Sequence, residues 1–89
     1  MPQVEFTPHL RRHLSVENVS VAGATVREAL EQVFEGQPKL RGYVLEDTGA
    51  LRHHMVVFVD GDQIEDRATL SDPVGEASTI HVLQALSGG

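Results

Sequence analysis

The chain has 89 residues with 40% hydrophobic and 22% charged side chains, which predicts one small globular domain with a modest core. Thirteen acidic residues against seven basic ones give a net charge of −6, which disfavours nucleic acid and favours a basic partner surface, although solubility alone would also account for it. The absence of cysteine excludes a disulfide framework, a thiolate zinc site, a cysteine nucleophile and a persulfide held on a side chain. Because no apolar run is long enough to span a bilayer and no secretory pattern opens the chain, we expect a cytoplasmic protein.

Two short strands are predicted near the start of the chain. Residues 4–6 alternate apolar and polar side chains, and Pro8 ends that run. After a basic connector, residues 16–21 form a second run in which Val19 and Val21 share one face. Strands this close in sequence predict a hairpin.

A helix is predicted to begin just after Thr25. Apolar side chains recur at i, i+3, i+4, i+7 and i+8 on Val26, Ala29, Leu30, Val33 and Phe34. Thr25 and Glu28 have the spacing of a capping box, in which the hydroxyl accepts from the Glu28 amide and the carboxylate accepts from the amide of the capping residue. We expect Gly36 to be a left-handed C′ residue and Pro38 to prevent continuation.

The second half of the chain predicts a connection followed by three strands. Residues 40–51 are interpreted as a helix-to-strand connection over one edge of the core, without an element of their own. The continuous apolar run at 55–59 indicates a strand with both faces at least partly covered, and the Asp-Gly pair at 60–61 predicts a type I′ turn. Residues 63–65 then form a short edge strand, and residues 79–86 form the last strand.

This order of elements predicts an α+β domain. A helix between two groups of strands, with room for only one core, gives a mixed four- to five-stranded sheet with one helix packed across one face. The order is typical of the β-grasp, the ubiquitin-like fold in which the first and last strands are parallel neighbours. We expect a single domain over residues 1–86 and a flexible tail over residues 87–89.

The tail ends in Ser87-Gly88-Gly89. It could be a frayed end, as most termini are. Alternatively it is the working part, because glycines without a Cβ form a thin arm that can carry the terminal carboxylate into a narrow channel of another protein.

The sequence resembles the ThiS/MoaD sulfur carriers, ubiquitin-like β-grasp proteins that end in Gly-Gly. The matching segments are GATVREAL at 23–30, PKLR at 38–41, GALRHH at 49–54, VVFVDG at 56–61, LSDPV at 70–74 and the terminal Gly88-Gly89. Their order and spacing, together with the terminal diglycine, carry the resemblance.

Three departures bear on the pathway. The family often has Val-Asn-Gly where residues 59–61 read Val-Asp-Gly. Molybdopterin-type members commonly have a Gly-Asp pair before the last strand and a proline before the tail, and residues 75–78 and 84–87 lack these. The long segment 38–54 nevertheless resembles the molybdopterin type more than the shorter thiazole type, and favours it.

The resemblance implies that this chain is a protein co-substrate and not an enzyme. A ubiquitin-activating-type partner would use ATP to adenylate the Gly89 carboxylate, with Gly88 beside it in the partner's channel, and sulfur would then convert it into a thiocarboxylate. The sulfur would pass to an acceptor such as the molybdopterin synthase large subunit or thiazole synthase, for cofactor biosynthesis. We expect no permanently bound cofactor, and neither nucleic acid nor a membrane as partner.

Five residues are candidates for partner docking. Four are apolar, Val57, Val59, Leu83 and Leu86, and the fifth is Ser87 in the tail. One interpretation places the valines and leucines in the core; the other places several of them on an open sheet face, with acidic residues of the turn at 60–62 around it.

Four alternatives compete with the carrier function. His9 and His13 are four residues apart, but Arg11 and Arg12 lie between them and no third ligand is evident, so no metal site is predicted. No serine lies in a nucleophile-elbow pattern, which disfavours a hydrolase. A ubiquitin-like modifier conjugated through Gly89 to lysines, or an interaction module with an incidental diglycine, remains open.

Overall fold

A computed structural model describes residues 1–6 and 19–84. Five strands and two helices are formed in this part of the chain. The strands are β1 (Gln3–Phe6), β2 (Val19–Ser20), β3 (Met55–Val59), β4 (Asp62–Gln63) and β5 (Thr79–Gln84), and the helices are α1 (Val26–Gly36) and α2 (Pro38–Val44). None of the helices described is long and apolar enough to cross a membrane.

The strands form one mixed sheet in the order β2-β1-β5-β3-β4. β1 and β2 are antiparallel, and so are β3 and both of its neighbours. β1 and β5 pair in parallel, so the first and last strands lie side by side at the centre of the sheet. This confirms the predicted β-grasp order.

The core lies between one face of the sheet and the two helices. All five residues of the predicted α1 stripe are buried, as are Val4, Phe6, Ile80 and Val82 on the facing strands. Leu30 is completely buried, and burial of one such side chain contributes about 1.5–3 kcal/mol. The helical period in the sequence therefore identified the buried side of α1 correctly.

The start of α1 has the predicted cap with one change of partner. Thr25 is extended, and its Oγ1 accepts from the Glu28 amide at 3.2 Å. The Glu28 carboxylate accepts from the amide of Ala24 at 2.8 Å, one residue before the cap. The Thr25 hydroxyl thus satisfies an amide that the first helical turn leaves unpaired, and the Glu28 carboxylate ties the residue before the cap to the helix.

Two predictions for the end of α1 are wrong. Gly36 is the last residue of the helix and has no positive φ, so it is not a left-handed C′ residue. The predicted connection at residues 40–51 does contain part of an element, since Pro38–Val44 form a second helix, α2, with Pro38 in its first turn and Leu40 and Val44 buried. Proline suits that position because its missing amide would have no helical partner there.

The turn after β3 is as predicted. Asp60 has φ +50° and Gly61 has φ +90°, the two positive values that a type I′ turn requires. β4 begins one residue earlier than the predicted edge strand and is shorter. β2 covers only residues 19 and 20 of the predicted 16–21 strand, because Val21 is described but lies outside the strand. Residues 16–18 of that prediction, and residues 85 and 86 of the predicted last strand, lie outside the described residues.

Candidate functional site

Four of the predicted site residues lie outside the part that the structure describes: Leu86, Ser87, Gly88 and Gly89. The described chain ends with β5, the middle strand of the sheet. The strand that precedes the tail in the chain is therefore central in the sheet and not at an edge. The side chains around the end of β5 are the described residues nearest to it along the chain.

The sheet face opposite the helices, here called the open face, is formed by Val56 and Phe58 of β3, His81 and Leu83 of β5, and Glu5 of β1. Val56 pairs with Leu83, and His81 pairs with Phe58 on one side and Glu5 on the other. Paired residues on neighbouring strands point to the same side of a sheet. All five are partly exposed. The residues between them along β3 and β5 are buried and belong to the core.

The open face is apolar at one end and acidic at the other. Val56 and Leu83 form the row near the described end of β5. Phe58, His81 and Glu5 form the next row across the three strands. The Glu5 Oε1 and His81 Nε2 atoms are 3.3 Å apart, with 36% and 45% of the side chains exposed. Asp60 terminates the face beyond β3. A partner that binds here would bury apolar area next to the tail and meet carboxylates farther away.

Asp60 is held in its ionised form. Its Oδ1 accepts a hydrogen bond from the Thr79 amide at 2.9 Å. This bond, a further one from the Ser78 hydroxyl and the proximity of His81 keep the pKa of the Asp60 carboxyl below its usual range. The carboxylate is exposed and stays available to a cation from outside.

The arginines and the lysine of the described chain lie away from the strands. They are Arg27, Lys39, Arg41, Arg52 and Arg67, in the helices and loops. On the helix side, Glu31 binds Arg27 and Arg41 at 3.2 Å each, and these guanidinium groups, Arg41 first, lower the pKa of the Glu31 carboxyl. Within residues 1–6 and 19–84, the strands thus carry carboxylates and histidine but no Lys or Arg.

A shallow groove of about 440 Å³ beside α1 is a poor candidate site. Arg27, Glu28 and Glu31 are among the residues that line it. Glu28 belongs to the helix cap, and Arg27 also donates to the Gly49 and Thr69 carbonyls. Since these groups already have partners within the chain, the groove is explained by the packing of α1 against its neighbouring loops.

The structure divides the predicted docking residues. Leu83 lies on the open face, where a partner could reach it. Val57 is completely buried against the helices, and Val59 is partly buried and packs on the same core, so their assignment to an open-face patch is wrong. Neighbouring residues of a strand point to opposite faces, and Val56 and Phe58, which the sequence interpretation missed, occupy the open one.

The described residues contain no group of three or more His, Asp or Glu side chains that could hold a metal ion. His9 and His13, the pair predicted not to bind a metal, are outside the described residues.

The sequence of β5 contains a signal that could have identified open-face residues. The apolar residues that face the core alternate along this strand, where Ile80 and Val82 are buried. The residues between them therefore belong to the opposite face.

The comparisons with known proteins agree with the fold. The sequence matches the model of the ThiS family over residues 4–89, and no curated protein shows a significant match. A chain of the BexX/CysO complex from Amycolatopsis orientalis is similar, with a TM-score of 0.84, 22% identity and 100% of both chains covered. SAMP1 from Haloferax volcanii has a TM-score of 0.78 and 24% identity, with 99% of this chain and 98% of that chain covered.

A third similar structure is CysO from Mycobacterium tuberculosis, with a TM-score of 0.81, 16% identity, and 97% of this chain and 100% of that chain covered. At such identities the structural likeness shows the fold alone. The family match, however, spans nearly the whole sequence. The chain therefore belongs to the ThiS family, whose members are small ubiquitin-like sulfur carriers with the β-grasp fold.

Proposed function

We propose that this protein carries sulfur as a thiocarboxylate on its C-terminal glycine, Gly89. The observation that supports this most directly is the family match, which runs to residue 89 and so includes the terminal Gly88-Gly89. The β-grasp body is a stable support for such a tail, and β5 leads from the centre of the sheet toward it. The two glycines have no side chains to obstruct a narrow partner channel.

The chemistry requires activation of Gly89. A carboxylate is a poor electrophile, because its leaving group would be oxide. Attack of the carboxylate on the α-phosphorus of ATP forms an acyl adenylate and releases pyrophosphate. A sulfur nucleophile then attacks the acyl carbon, the C–O bond to AMP breaks, and a thiocarboxylate remains. Its sulfur is strongly nucleophilic and weakly basic, and suits transfer to an activated acceptor.

The chain acts in this proposal as a co-substrate. A ubiquitin-activating-type partner supplies the ATP site and the catalytic groups, and no cofactor stays bound to the chain. Cysteine is absent from the sequence, so any persulfide that delivers the sulfur must lie on another protein. The open face, with Leu83 close to the tail along the chain, is the proposed docking surface.

The acceptor that we propose first is the molybdopterin synthase large subunit. Support comes from segment 38–54, which is long as in molybdopterin-type carriers and contains α2. Thiazole synthase and an enzyme that forms cysteine are the competing acceptors. Reconstitution of the sulfur-charged chain with each acceptor enzyme in turn, measuring loss of sulfur from Gly89, distinguishes them.

Intact mass spectrometry tests the central step. The chain is incubated with the adenylating enzyme of its source organism, ATP and sulfide, and we expect the mass of one oxygen to be replaced by that of one sulfur. Gly89→Ala should keep the circular dichroism and melting temperature of the wild-type chain and lose the mass change, because a methyl group at the reacting residue displaces the carbonyl in the partner's channel. The same mass change in both proteins would contradict the mechanism.

A second candidate function is a ubiquitin-like protein modifier. The observation that favours it is the similarity to SAMP1, whose name describes a small archaeal modifier protein. Amide adducts between Gly89 and target lysines, found by mass spectrometry of digested cell extracts, would support it. A chain that is truncated before Ser87 and keeps full function would instead support an interaction module without tail chemistry.

A further inference from the structure

We propose that the sulfur-accepting enzyme docks, through an acidic surface of its own, on a basic patch at one end of the domain. This patch, here called the basic end, consists of Lys39 and Tyr43 on α2 and of Arg52 and Arg67 in the loops beside it. The inference rests on the proposed carrier function, because it concerns the partner that receives sulfur from Gly89. It uses a surface distinct from the open face.

Helix geometry and two hydrogen bonds place the four residues of the basic end together. Lys39 and Tyr43 are four residues apart on α2, so they lie on the same face of the helix, and both are exposed. The Arg52 Nε donates to the carbonyl oxygen of Gly42, next to Tyr43, at 2.7 Å. The Arg67 Nη2 donates to the carbonyl oxygen of Arg52 at 2.8 Å. The patch therefore runs from α2 across both loops.

The cations of the basic end have no carboxylate partner in the described part of the chain. Lys39, Arg52 and Arg67 form no ion pair with any described residue, whereas the arginines of α1 and α2 are paired with Glu31. Arg52 and Arg67 donate to backbone carbonyls, which carry no charge that would neutralise a guanidinium group. With 13 acidic residues against seven basic ones, the chain has no shortage of carboxylates. The positive charges of the basic end are therefore available to carboxylates of a partner.

Tyr43 makes the basic end suitable for binding a protein. Within the described residues, Tyr43 and Met1 are the exposed large apolar side chains, and Tyr43 is 48% exposed. Tyrosine and arginine are the residue types that, with tryptophan, most often dominate the binding energy of protein interfaces. The net charge of −6 disfavours a nucleic acid as the ligand of this patch. An acidic protein surface therefore fits it best.

The basic end adjoins the end of the sheet where the described part of β5 stops. Met55 pairs with Gln84, the last described residue, and the Met55 amide donates to the Arg52 carbonyl at 2.9 Å. Five residues follow Gln84 and end in Gly89, and five extended residues span at most about 18 Å. An enzyme that takes up Gly89 must therefore hold the body near this end of the sheet, where the basic end lies.

The charges of the two surfaces assign them to different partners. The open face carries Glu5 and the ionised Asp60 without a described Lys or Arg, so it suits a basic partner surface. The basic end suits an acidic one. In the proposed cycle, Gly89 meets the activating enzyme first and the acceptor second. Because the open face is proposed for the first enzyme, the basic end is assigned to the second.

Binding of the full chain to its acceptor tests the proposal. The chain is titrated, at low and at high salt, with the molybdopterin synthase large subunit, thiazole synthase and the cysteine-forming enzyme of its source organism, and we expect one of the three to bind. Lys39→Gln should weaken that binding about threefold at low salt and less at high salt. Tyr43→Ser should weaken it at least about tenfold at both.

Two control variants separate the patch from the overall charge. Ala77→Glu, like Lys39→Gln, makes the chain more negative by one charge. Ala77 is exposed just before β5, at the opposite end of that strand from Gln84, so its substitution should leave affinity unchanged. Lys39→Arg keeps the charge and should restore binding. Neither Lys39 nor Tyr43 has a side-chain hydrogen bond to a described residue, so we expect folded variants, which circular dichroism and melting curves verify.

Sulfur transfer is measured in parallel with the charged chain. Lys39→Gln and Tyr43→Ser should raise the KM of the acceptor for the charged chain and leave kcat unchanged, because they alter the docking of the body and not the reacting carbon. Loading of sulfur on Gly89 by the activating enzyme should match that of wild type. A loss of loading as large as the loss of acceptor binding would assign the basic end to the activating enzyme and overturn the proposal.

The remaining outcomes separate this inference from the carrier function. Equal affinities of Lys39→Gln and Ala77→Glu, or no binding of the wild-type chain to any of the three acceptors, would overturn the inference. Normal sulfur loading and transfer in all variants would overturn the inference alone. Acceptor binding that depends on Lys39 and Tyr43, without any sulfur on Gly89, would overturn the carrier function and leave the docking surface.

Discussion

Replacing Gly23 with alanine should destabilise the fold although it adds only one methyl group. Gly23 lies just before α1 with φ +157°. A Cβ built there would lie 2.8 Å from the Ala29 nitrogen and 3.2 Å from both the Ala29 Cα and the Glu28 carbonyl carbon. These are backbone atoms of a packed helix, which cannot rotate away as the end of a side chain could.

The size of the effect follows from two opposed terms. Overpacking at a rigid site costs about 1–3 kcal/mol. The lower backbone entropy of unfolded alanine offsets about 0.4–1 kcal/mol of this. Because the contact is with the backbone and is shorter than any normal carbon–nitrogen approach, we expect a net loss of about 2 kcal/mol.

The same substitution at Gly36 should have the opposite effect and stabilise the fold. It is helical, and an added Cβ would have no atom within 4 Å, so Gly36→Ala should gain about 0.5–1 kcal/mol. Urea unfolding followed by circular dichroism gives both values, with the slope of each transition as a check that the unfolded states are comparable. A Gly23→Ala variant as stable as wild type would refute the packing argument. A destabilised Gly36→Ala variant would indicate that Gly36 has the left-handed conformation expected from the sequence.

Two further predictions concern the core face and the pH dependence of stability. Val57→Thr should lower the free energy of unfolding by about 1–3 kcal/mol because it buries an unpaired hydroxyl. Val56→Thr on the open face should lower it by about 0.5 kcal/mol or less. Similar losses for the two variants in urea unfolding would contradict the assignment of the two residues to opposite faces. Hydrogen bonds from the hydroxyls of Ser71 and Thr69 and from loop amides hold the pKa of the Asp66 carboxyl well below its usual range. A carboxyl whose pKa is lower in the folded state stabilises the fold above the unfolded pKa of about 4, and this stabilisation is lost as the pH falls below that value. The melting temperature of wild type should therefore drop more steeply in acid than that of Asp66→Asn. Parallel curves would exclude the role of Asp66.

The elements that could be predicted from the sequence are those specified by local chemistry. The stripe from Val26 to Phe34 fixes the buried side of α1, and the Asp60-Gly61 pair fixes the turn, because both depend on residues a few positions apart. α2 could not be predicted in this way. It is short and contains Pro38 and Gly42, and it is helical because Leu40 and Val44 pack into the core beside α1, which is tertiary information.

The open face was hidden for a similar reason. In β3 every residue is apolar, so alternation cannot tell which side chains face the helices. The face that each β3 side chain occupies is determined by pairing with β5, where Val57 lies opposite the buried Val82. The contact between Glu5 and His81 requires the parallel register of the first and last strands, which joins residues far apart in the chain. The diglycine, in contrast, is evident in the sequence alone.

The positive charges of the described residues stabilise the helix side of the domain and are absent from its strands. On the helix side, the ion pairs of Glu31 with Arg27 and Arg41, and the bonds of Arg27 to the Gly49 and Thr69 carbonyls, join α1 to α2 and to two loops. The cations used there are absent from the described strands, and the open face is left acidic with one histidine. Since β5 contributes His81 and Leu83 to this face and precedes the tail in the chain, the proposed docking surface and the proposed reacting residue, Gly89, are close to each other in sequence.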